Sequence, residues 1–392
     1  MQYHAGALAD AGVDVDLIGL AGTEPFAAVR DHPRIRIRRL DDRARAGAGR
    51  GFAARAARRV MHQAAAVLAV LLRARPAYDV ALVQSPPAMP TLAAAWLAAR
   101  TRGTRLVIDW HNLAYTVLAL RLGARHPLVR LGARYERLLG RRADAHLCVS
   151  QAMRRTLAER WAIDATVLYD RPAAHFAPLG PAARDDAVRR LCARIGWHGE
   201  GRPALLVCPT SWSEDDDFPL LLEALPRLEA HLATSAGPAV LVLLTGTGPL
   251  RERFEPRLLA WRDGRVRAHA LWLAADDYPA LLAAADLGIS VHRSASGLDL
   301  PMKIADLFGA GVPVCALDYG PCLREVVFPD ENGLLFRTPA ELAAAIGRVL
   351  ARFPTDTAEL DRLRGGVAAA AATRWDGEWR HAAMATVLPP LR

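Results

Sequence analysis

Lysine is nearly missing from this chain. Of its 50 basic residues, 49 are arginine and one is lysine, Lys303. A compact ammonium and a planar guanidinium are not equivalent at a tight phosphate site, so the single retained lysine marks a position of interest. Also missing is an uncharged run long enough to span a bilayer, which takes about 20 residues. Val60–Leu72 is too short, and Val80–Ala99 is interrupted by Pro86, Pro87 and Pro90. No charged segment followed by an apolar one opens the sequence, so no secretory signal is expected. Cysteines are few and scattered, at positions 148, 192, 208, 315 and 322, with no CxxC pair. They read as buried thiols in a reducing compartment, not as a disulfide frame or a zinc site. The arginines do not alternate with aromatic stacking platforms, so nucleic acid is not an expected partner.

What remains is a globular balance. The 392 residues are 52% apolar and 23% charged, which excludes disorder and predicts two to three domains in a soluble, cytosolic chain. The net charge of +9 is unevenly spread. Residues 1–175 carry 27 arginines against 14 acidic groups, a balance of +13, and the remaining 217 carry 23 basic groups against 27 acidic, a balance of −4. The basic half is expected to meet something anionic. Two stretches concentrate the charge, Arg43–Arg75 and Arg121–Arg142. In the second, Arg130, Arg134, Arg137 and Arg141 recur at helical spacing. Such a stripe is either a solvated helix face or an anionic-membrane contact.

Short apolar runs alternate with helical patterns along the whole chain. Val13–Leu20, Val80–Gln84, Leu106–Asp109, His146–Ser150 and Thr166–Tyr169 read as strands of a first domain. Leu205–Cys208, Val240–Thr245, Ala270–Leu273, Leu287–Val291 and Val314–Ala316 read as strands of a second. Two successive βα series predict an α/β protein of two doubly wound, Rossmann-like domains with parallel sheets facing a cleft. The expected segments are residues 1–172, residues 173–372, and a C-terminal helix within 373–392 that packs back on the first domain. Ligands of open parallel sheets bind beyond the carboxyl ends of the strands, so the motifs that matter follow strands.

The strongest motif is Ser294–Asp306, SASGLDLPMKIAD, followed by GAGVPV. Pro301 suits the first helical position. The N–H groups of that first turn favour an anion, and Lys303 beside them serves a phosphate. Asp306, three residues on, shares a face with Lys303. It is placed to accept from ribose hydroxyls, the bland alternative being an intrahelical ion pair. Asp299 either caps this helix or contacts the sugar, and Gly297 belongs to the glycine-containing lead-in. Thr245–Leu250, TGTGPL, ends a strand with Gly246 and Gly248, either a ligand contact or an ordinary turn. Without a third glycine it argues against a dinucleotide cofactor. Thr210–Phe218, TSWSEDDDF, holds Ser211, Trp212 and an Asp215-x-Asp217 pair, which reads as helix-terminal charge or as a metal–diphosphate contact. In the first domain, Ile108–Asn112 closes a strand, and alternation puts Asp109 and His111 on one side as a candidate acid–base pair.

Together these stretches resemble the eukaryotic β-mannosyltransferase family that adds the first mannose to chitobiosyl-diphosphodolichol. The resemblance runs in order through MQYHAGALADAGVDVDLIGL, SPPAMPTLAAAW, LVIDWHNLAY, LCVSQAMRRTLAERWAI, TSWSEDDDF, TGTGPLRE, SGLDLPMKIADLFGAGVPVCAL and ENGLLF. It implies a GT-B fold, GDP-mannose as donor, inversion at the anomeric carbon and no cofactor or obligatory metal. It also implies a lipid-diphosphate acceptor at the cytoplasmic face of a membrane. By position, Lys303 takes the donor diphosphate, and Asp306 stands where related GT-B enzymes place a nucleotide-binding carboxylate, usually Glu. Ser211, Trp212, Gly246, Gly248, Gly297 and Asp299 complete the expected donor set, and His111 with Asp109 is the candidate base for the acceptor hydroxyl. The family opens with a strand and a glycine-containing loop before the segment matching Met1–His4, so a first strand is expected to be absent from the first domain. Family members also carry a membrane anchor. Electrostatic attraction, about 1 kcal/mol per basic residue near an anionic surface, is expected to replace it. Two other readings compete, a non-catalytic nucleotide-sugar or membrane-binding protein and a transferase of another GDP- or UDP-sugar.

Overall fold

Runs of Leu and Val bounded by turns form a six-stranded parallel sheet in the second half of the chain. Its strands, numbered with those of the first half, are β7 Ala204–Pro209, β8 Val240–Thr245, β9 Val266–Leu271, β10 Leu287–Ser290, β11 Val314–Leu317 and β12 Gly333–Phe336. They are ordered β12-β11-β10-β7-β8-β9 and pair parallel throughout. Every residue of β7, β8, β10 and β11 is buried, as expected for strands covered by helices on both faces. The chain order reverses between β7 and β10, and ligands of doubly wound sheets bind beyond the carboxyl ends of such a pair.

The first half carries β1 Val15–Leu20, β2 Ile35–Leu40, β3 Val80–Ser85, β4 Arg105–Trp110, β5 Ala145–Cys148 and β6 Thr166–Val167. Among the described residues these form two separate parallel sheets, β1-β2 and β3-β4-β5-β6. The structure, a computed structural model, describes all residues except 21, 23, 41–51, 198, 200, 236, 259, 262, 274–276 and 389–392, and the side chains of 52–57 and 59. The basic stretch Arg43–Arg75 therefore lies outside the described residues up to 51. No helix among the described residues is long and apolar enough to cross a membrane.

The chain divides into two units, residues 1–169 with 376–392, and residues 170–375. Three expectations about elements need correction. Strands β2 (IRIRRL) and β12 were not anticipated, and β9 begins at Val266, four residues before the expected Ala270. Both β2 and β9 are edge strands. In β9 the half-exposed Arg267 and His269 alternate with buried Val266 and Ala268, and this polar content masks the strand signal. The final helix is not continuous, because the segment Trp379–Ala383 widens into a π-helical turn between Trp375–Glu378 and Met384–Val387. π-Helical turns of this kind mark functional sites often enough to be informative, and here the turn seats the fully buried Trp379.

Candidate functional site

Each unit holds one cluster of polar side chains at the carboxyl ends of its strands. In the first, Asp109 is the penultimate residue of β4 and His111 follows the strand. The backbone N–H groups of His111 and Asn112 both donate to the Ser85 carbonyl at the end of β3, at 2.9 and 3.3 Å. Trp110, between them, points the other way into the core, with Nε1 3.2 Å from His146 Nδ1. The period-two geometry thus brings Asp109 and His111 together, with Asp109 Oδ2 2.7 Å from His111 Nε2.

A third member, unforeseen from sequence, joins them across 105 residues. His4, on the helix Gln2–Asp10, places Nε2 3.0 Å from the same Asp109 oxygen. Trp379 Nε1 donates to His4 Nδ1 at 3.1 Å. An indole is only a donor, so His4 Nδ1 is an acceptor and Nε2 of the neutral ring carries the proton given to Asp109. By the same logic a neutral His111 donates from Nε2, and its basic nitrogen is Nδ1. Burial pushes the Asp109 carboxyl up, but the two imidazoles overcome this and hold it well below the ordinary carboxylate range. His4, Asp109 and His111 offer ligand atoms within 4.8 Å of one another, close enough for a divalent ion. A metal ligand nitrogen must be unprotonated, and the Trp379 contact assigns the proton of neutral His4 to the nitrogen that faces Asp109. The donor set therefore fits a hydrogen-bonded relay better than a metal centre.

Just beyond this strand a buried carboxylate braces the loop. Glu136 Oε2 and Oε1 accept from the Ala114 and Tyr115 N–H groups at 3.0 and 2.7 Å, the first turn of the next helix. Burial raises its carboxyl to about 7 despite these two bonds.

The second cluster occupies the switch point beyond β7 and β10. Lys303 Nζ lies 2.7 Å from Asp216 Oδ1, and the other Asp216 oxygen accepts from the Ser211 N–H at 2.7 Å and its hydroxyl at 2.9 Å. Asp216 is buried, and its backbone bridges His292 after β10. Loop 210–217 is thereby fastened to residues 291–293, and the lysine to the loop. One ammonium proton serves Asp216, and the other two have no partner among the described residues.

The remaining expected donor residues fall into place unevenly. Pro301 is the N-cap and not, as expected, the first helical residue, so Lys303 is second in the helix Met302–Gly309. Asp306 does not pair with Lys303. It is partly buried, receives a hydrogen bond from Tyr278, and is raised to about 7 by burial and by the charge of Asp170. Asp299 does not cap the helix. Its Oδ2 lies 3.2 Å from His292 Nε2 and its Oδ1 accepts from the Ser294 hydroxyl, so it closes the 292–299 loop. In that loop Gly297 adopts φ 71° with open space where a side chain would stand.

Trp212 is not available to a ligand as a side chain. Its ring is fully buried and stacks on Phe218 at 4.8 Å, because φ of 46° turns it inward. Close approach of protein backbone is enough to require glycine at 246 and 248. A Cβ at Gly246 would strike the Thr210 carbonyl, and one at Gly248 the Ser211 carbonyl. Asp217 caps the helix Phe218–Thr234 and pairs with Arg293 at 2.6 Å, so half of the Asp-x-Asp pair is structural. Asp216, between those two, was overlooked within the acidic run.

The fold has counterparts in known proteins. Residues 2–169 match the Glycosyl transferase 4-like domain, and residues 202–352 match Glycosyl transferases group 1. Chitobiosyldiphosphodolichol beta-mannosyltransferase of Mus musculus is 39% identical over 420 residues, covering 100% of this chain and 86% of that protein. The chain belongs to the chitobiosyldiphosphodolichol β-mannosyltransferase family. It is a glycosyltransferase of two Rossmann-like halves. Solved structures agree on the fold. Sucrose-phosphate synthase of Thermosynechococcus elongatus superposes with a TM-score of 0.67 at 17% identity, covering 96% of this chain and 89% of that one. Anabaena HepE, solved in complex with UDP, gives 0.62 at 17%, covering 93% and 96%.

Proposed function

We propose that this β-mannosyltransferase-family chain takes mannose from GDP-mannose and transfers it, with inversion, to a chitobiosyl-diphospholipid at a membrane surface. The observation that carries the donor half is Lys303, the one lysine, fixed by Asp216 at the switch point with two ammonium protons to spare. A diphosphate leaving group gains negative charge as its bond to the sugar breaks, and a positioned ammonium stabilises that charge. Asp306 is the carboxylate for the ribose hydroxyls. No metal takes part in this reading.

The acceptor half rests on His111. Its Nδ1 removes the proton of the acceptor hydroxyl, whose oxygen forms the new bond to the anomeric carbon while the sugar–phosphate bond breaks with its electron pair on GDP. Asp109 holds the ring and stabilises the imidazolium, the division of labour seen in other His–Asp pairs. His4 locks Asp109 in turn.

The membrane reading rests on the helices Ala114–Leu122 and Pro127–Gly140. Leu120, Leu122, Leu128, Leu131 and Leu138 are 41–55% exposed. At 100° per residue, the stripe Leu128, Leu131, Leu138 runs beside the exposed arginines 130, 134, 137 and 141. Apolar side chains flanked by arginine fit the interface of an anionic leaflet, which supports reading the protein as peripheral on the cytoplasmic side of a membrane.

The test is transfer of radiolabelled mannose from GDP-mannose to a synthetic chitobiosyl-diphospholipid, alongside other nucleotide sugars. Transfer by the wild type and its loss in Lys303→Ala are expected. Preference for another donor, or undiminished transfer by the variant, overturns the donor assignment. Flotation with phosphatidylserine vesicles tests the surface. Binding should fall with added salt and in Leu131→Ser/Leu138→Ser, and equal recruitment of that variant would refute the leucine stripe.

A further inference from the structure

At the end of the Met302–Gly309 helix remote from Lys303, the second unit holds a cavity of ≈ 420 Å³. Its wall is apolar along Pro178, Phe308 and Gly309, and cationic at Arg184, Arg364 and Arg374. That volume lies within the range of small-molecule sites. Eight helical residues, about 12 Å of rise, separate the two ends of the helix.

The three guanidiniums differ in what they already hold. Arg364 is paired, 3.3 Å from Asp286 and 2.9 Å from Asp361. Asp286 is itself occupied, by a two-pronged contact from Arg202 at 2.8 and 3.0 Å and by the Leu205 N–H at 2.9 Å. Arg184 is only 9% exposed, yet among the described residues it reaches no carboxylate. Its Nη2 donates to the Leu179 carbonyl at 3.1 Å, and its buried Nε has no acceptor. Burial first, and the Arg364 charge second, hold this guanidinium below its ordinary range, with the more distant Asp286 and Asp361 charges offsetting only part of it. Arg374 donates to the Phe176 carbonyl at 2.9 Å and, among the described residues, to no acidic group.

Buried cations are normally paired, and a buried donor without an acceptor is costly. Buried Arg184 and half-buried Arg374, beside one cavity, form no ion pair among the described residues, and an anion there would supply one. Glycine keeps the cavity edge in place. A Cβ on Gly309 would stand 2.7 Å from Pro172 Cβ and 2.8 Å from Phe176 Cβ, and one on Gly311 would stand 2.7 Å from Pro178 Cβ. Residues 172–178 thus lie directly on the end of the helix, beside Arg374.

We propose that this cavity is a second ligand site, taking a small phosphomonoester whose dianionic head sits between Arg184 and Arg374 and whose short apolar group lies on Pro178 and Phe308. A dianion neutralises both unpaired guanidiniums, whereas a carboxylate would leave one uncompensated. The guanidinium fork matches phosphate oxygens two at a time. The phosphate belongs to a free ester or to a lipid headgroup.

Calorimetric titration of the full chain with ethyl phosphate and with inorganic phosphate, in phosphate-free buffer, tests the site. GDP is present throughout, and the titration is repeated on Lys303→Ala, so that phosphate at the donor position is told apart. One binding event per chain is expected for ethyl phosphate, weakened at least tenfold in Arg374→Ala and in Arg184→Met and kept in Lys303→Ala. Arg184→Met should also raise the melting temperature without phosphate, because it removes an unpaired buried charge. Phosphatidate vesicles form the second arm. Recruitment that needs Arg184 and Arg374 while ethyl phosphate stays unbound assigns the site to a headgroup. Absence of binding in both arms, or wild-type affinity retained in either arginine variant, overturns the proposal.

Discussion

Lys303 and Asp216 form a 2.7 Å ion pair in which the carboxylate is buried and the ammonium is partly open to solvent, with side-chain exposures of 1% and 21%. The asymmetry decides what each residue is for. Asp216 is a fixture, anchored to Ser211 and to the strand-side backbone, and it delivers the ammonium to the carboxyl end of the sheet. Lys303→Ala is therefore expected to weaken GDP binding roughly 10–100-fold, the worth of charged hydrogen bonds of about 1.5–3 kcal/mol. Calorimetry with GDP checks this. Asp216→Ala should do more damage to folding than to the ligand itself, lowering the urea midpoint, since Ser211 and Lys303 both lose their partner. An unchanged midpoint would show that Lys303 is positioned by its own helix.

His111 is expected to act through chemistry and not affinity. His111→Ala should lower kcat by about 10²–10⁴-fold, the usual share of a general base, with little change in donor KM. His4→Ala leaves the base in place but removes one of the two clamps on Asp109. A smaller fall in kcat with a shifted pH profile is the expected result, and His4→Gln should restore part of it. If His4→Ala altered stability alone, the shared oxygen would be a packing detail. Asp109 also carries an acid signature. Its folded carboxyl is depressed, so the stability it contributes is complete above the ordinary carboxylate range and lost as pH falls through its lower folded value. Asp109→Asn should flatten the acid limb of a stability–pH curve below about pH 4.

Much of this was legible in the residues. Central strands such as VLVLLT announce themselves because both faces are buried, and the alternation around Asp109 correctly placed His111 beside it. Edge strands were hidden, since IRIRRL spends half its positions on arginine facing water. The site was harder for a different reason. His4 lies 105 residues from Asp109 in sequence, and only its place among the buried residues of QYHAGALAD hinted that a polar partner was needed. Asp216 hid among four successive acids, where spacing singles out none. Trp212 entered the expected donor set with TSWSEDDDF, and nothing in that string shows that its positive φ sends the ring into the core.

Gly248 offers a sharper test of the loop. Its missing Cβ leaves room for the Ser211 and Trp212 carbonyls, the latter at 2.8 Å from where that atom would stand. Gly248→Ala must push loop 210–217 away and move Asp216 with it. A loss of about 1–3 kcal/mol is expected by analogy with overpacked cores, together with weaker GDP binding. Denaturation midpoints and calorimetry would check both. A variant that binds GDP normally would mean that the glycine loop and the lysine are uncoupled.

Asp306 ties the same helix to pH. Its carboxyl is raised from the ordinary range to about 7, chiefly by burial and then by Asp170. A raised acid binds its proton more tightly in the folded chain than in the unfolded one, so stability falls as pH climbs from about 4 to about 7 and then levels off. Asp306→Asn removes the charge that burial disfavours. The variant should match the wild type near pH 4 and exceed it by about 1–3 kcal/mol at pH 8, each pKa unit being worth about 1.4 kcal/mol before solvent screening. Urea titrations at the two pH values decide it. Equal stability differences at both would mean that Asp306 is ionised throughout and that its surroundings are more polar than Tyr278 and Asp170 make them. Nucleotide binding should move with the same group. GDP affinity that rises from pH 6 to pH 8 in the wild type, and not in Asp306→Asn, would identify the ionised carboxylate as the ribose acceptor.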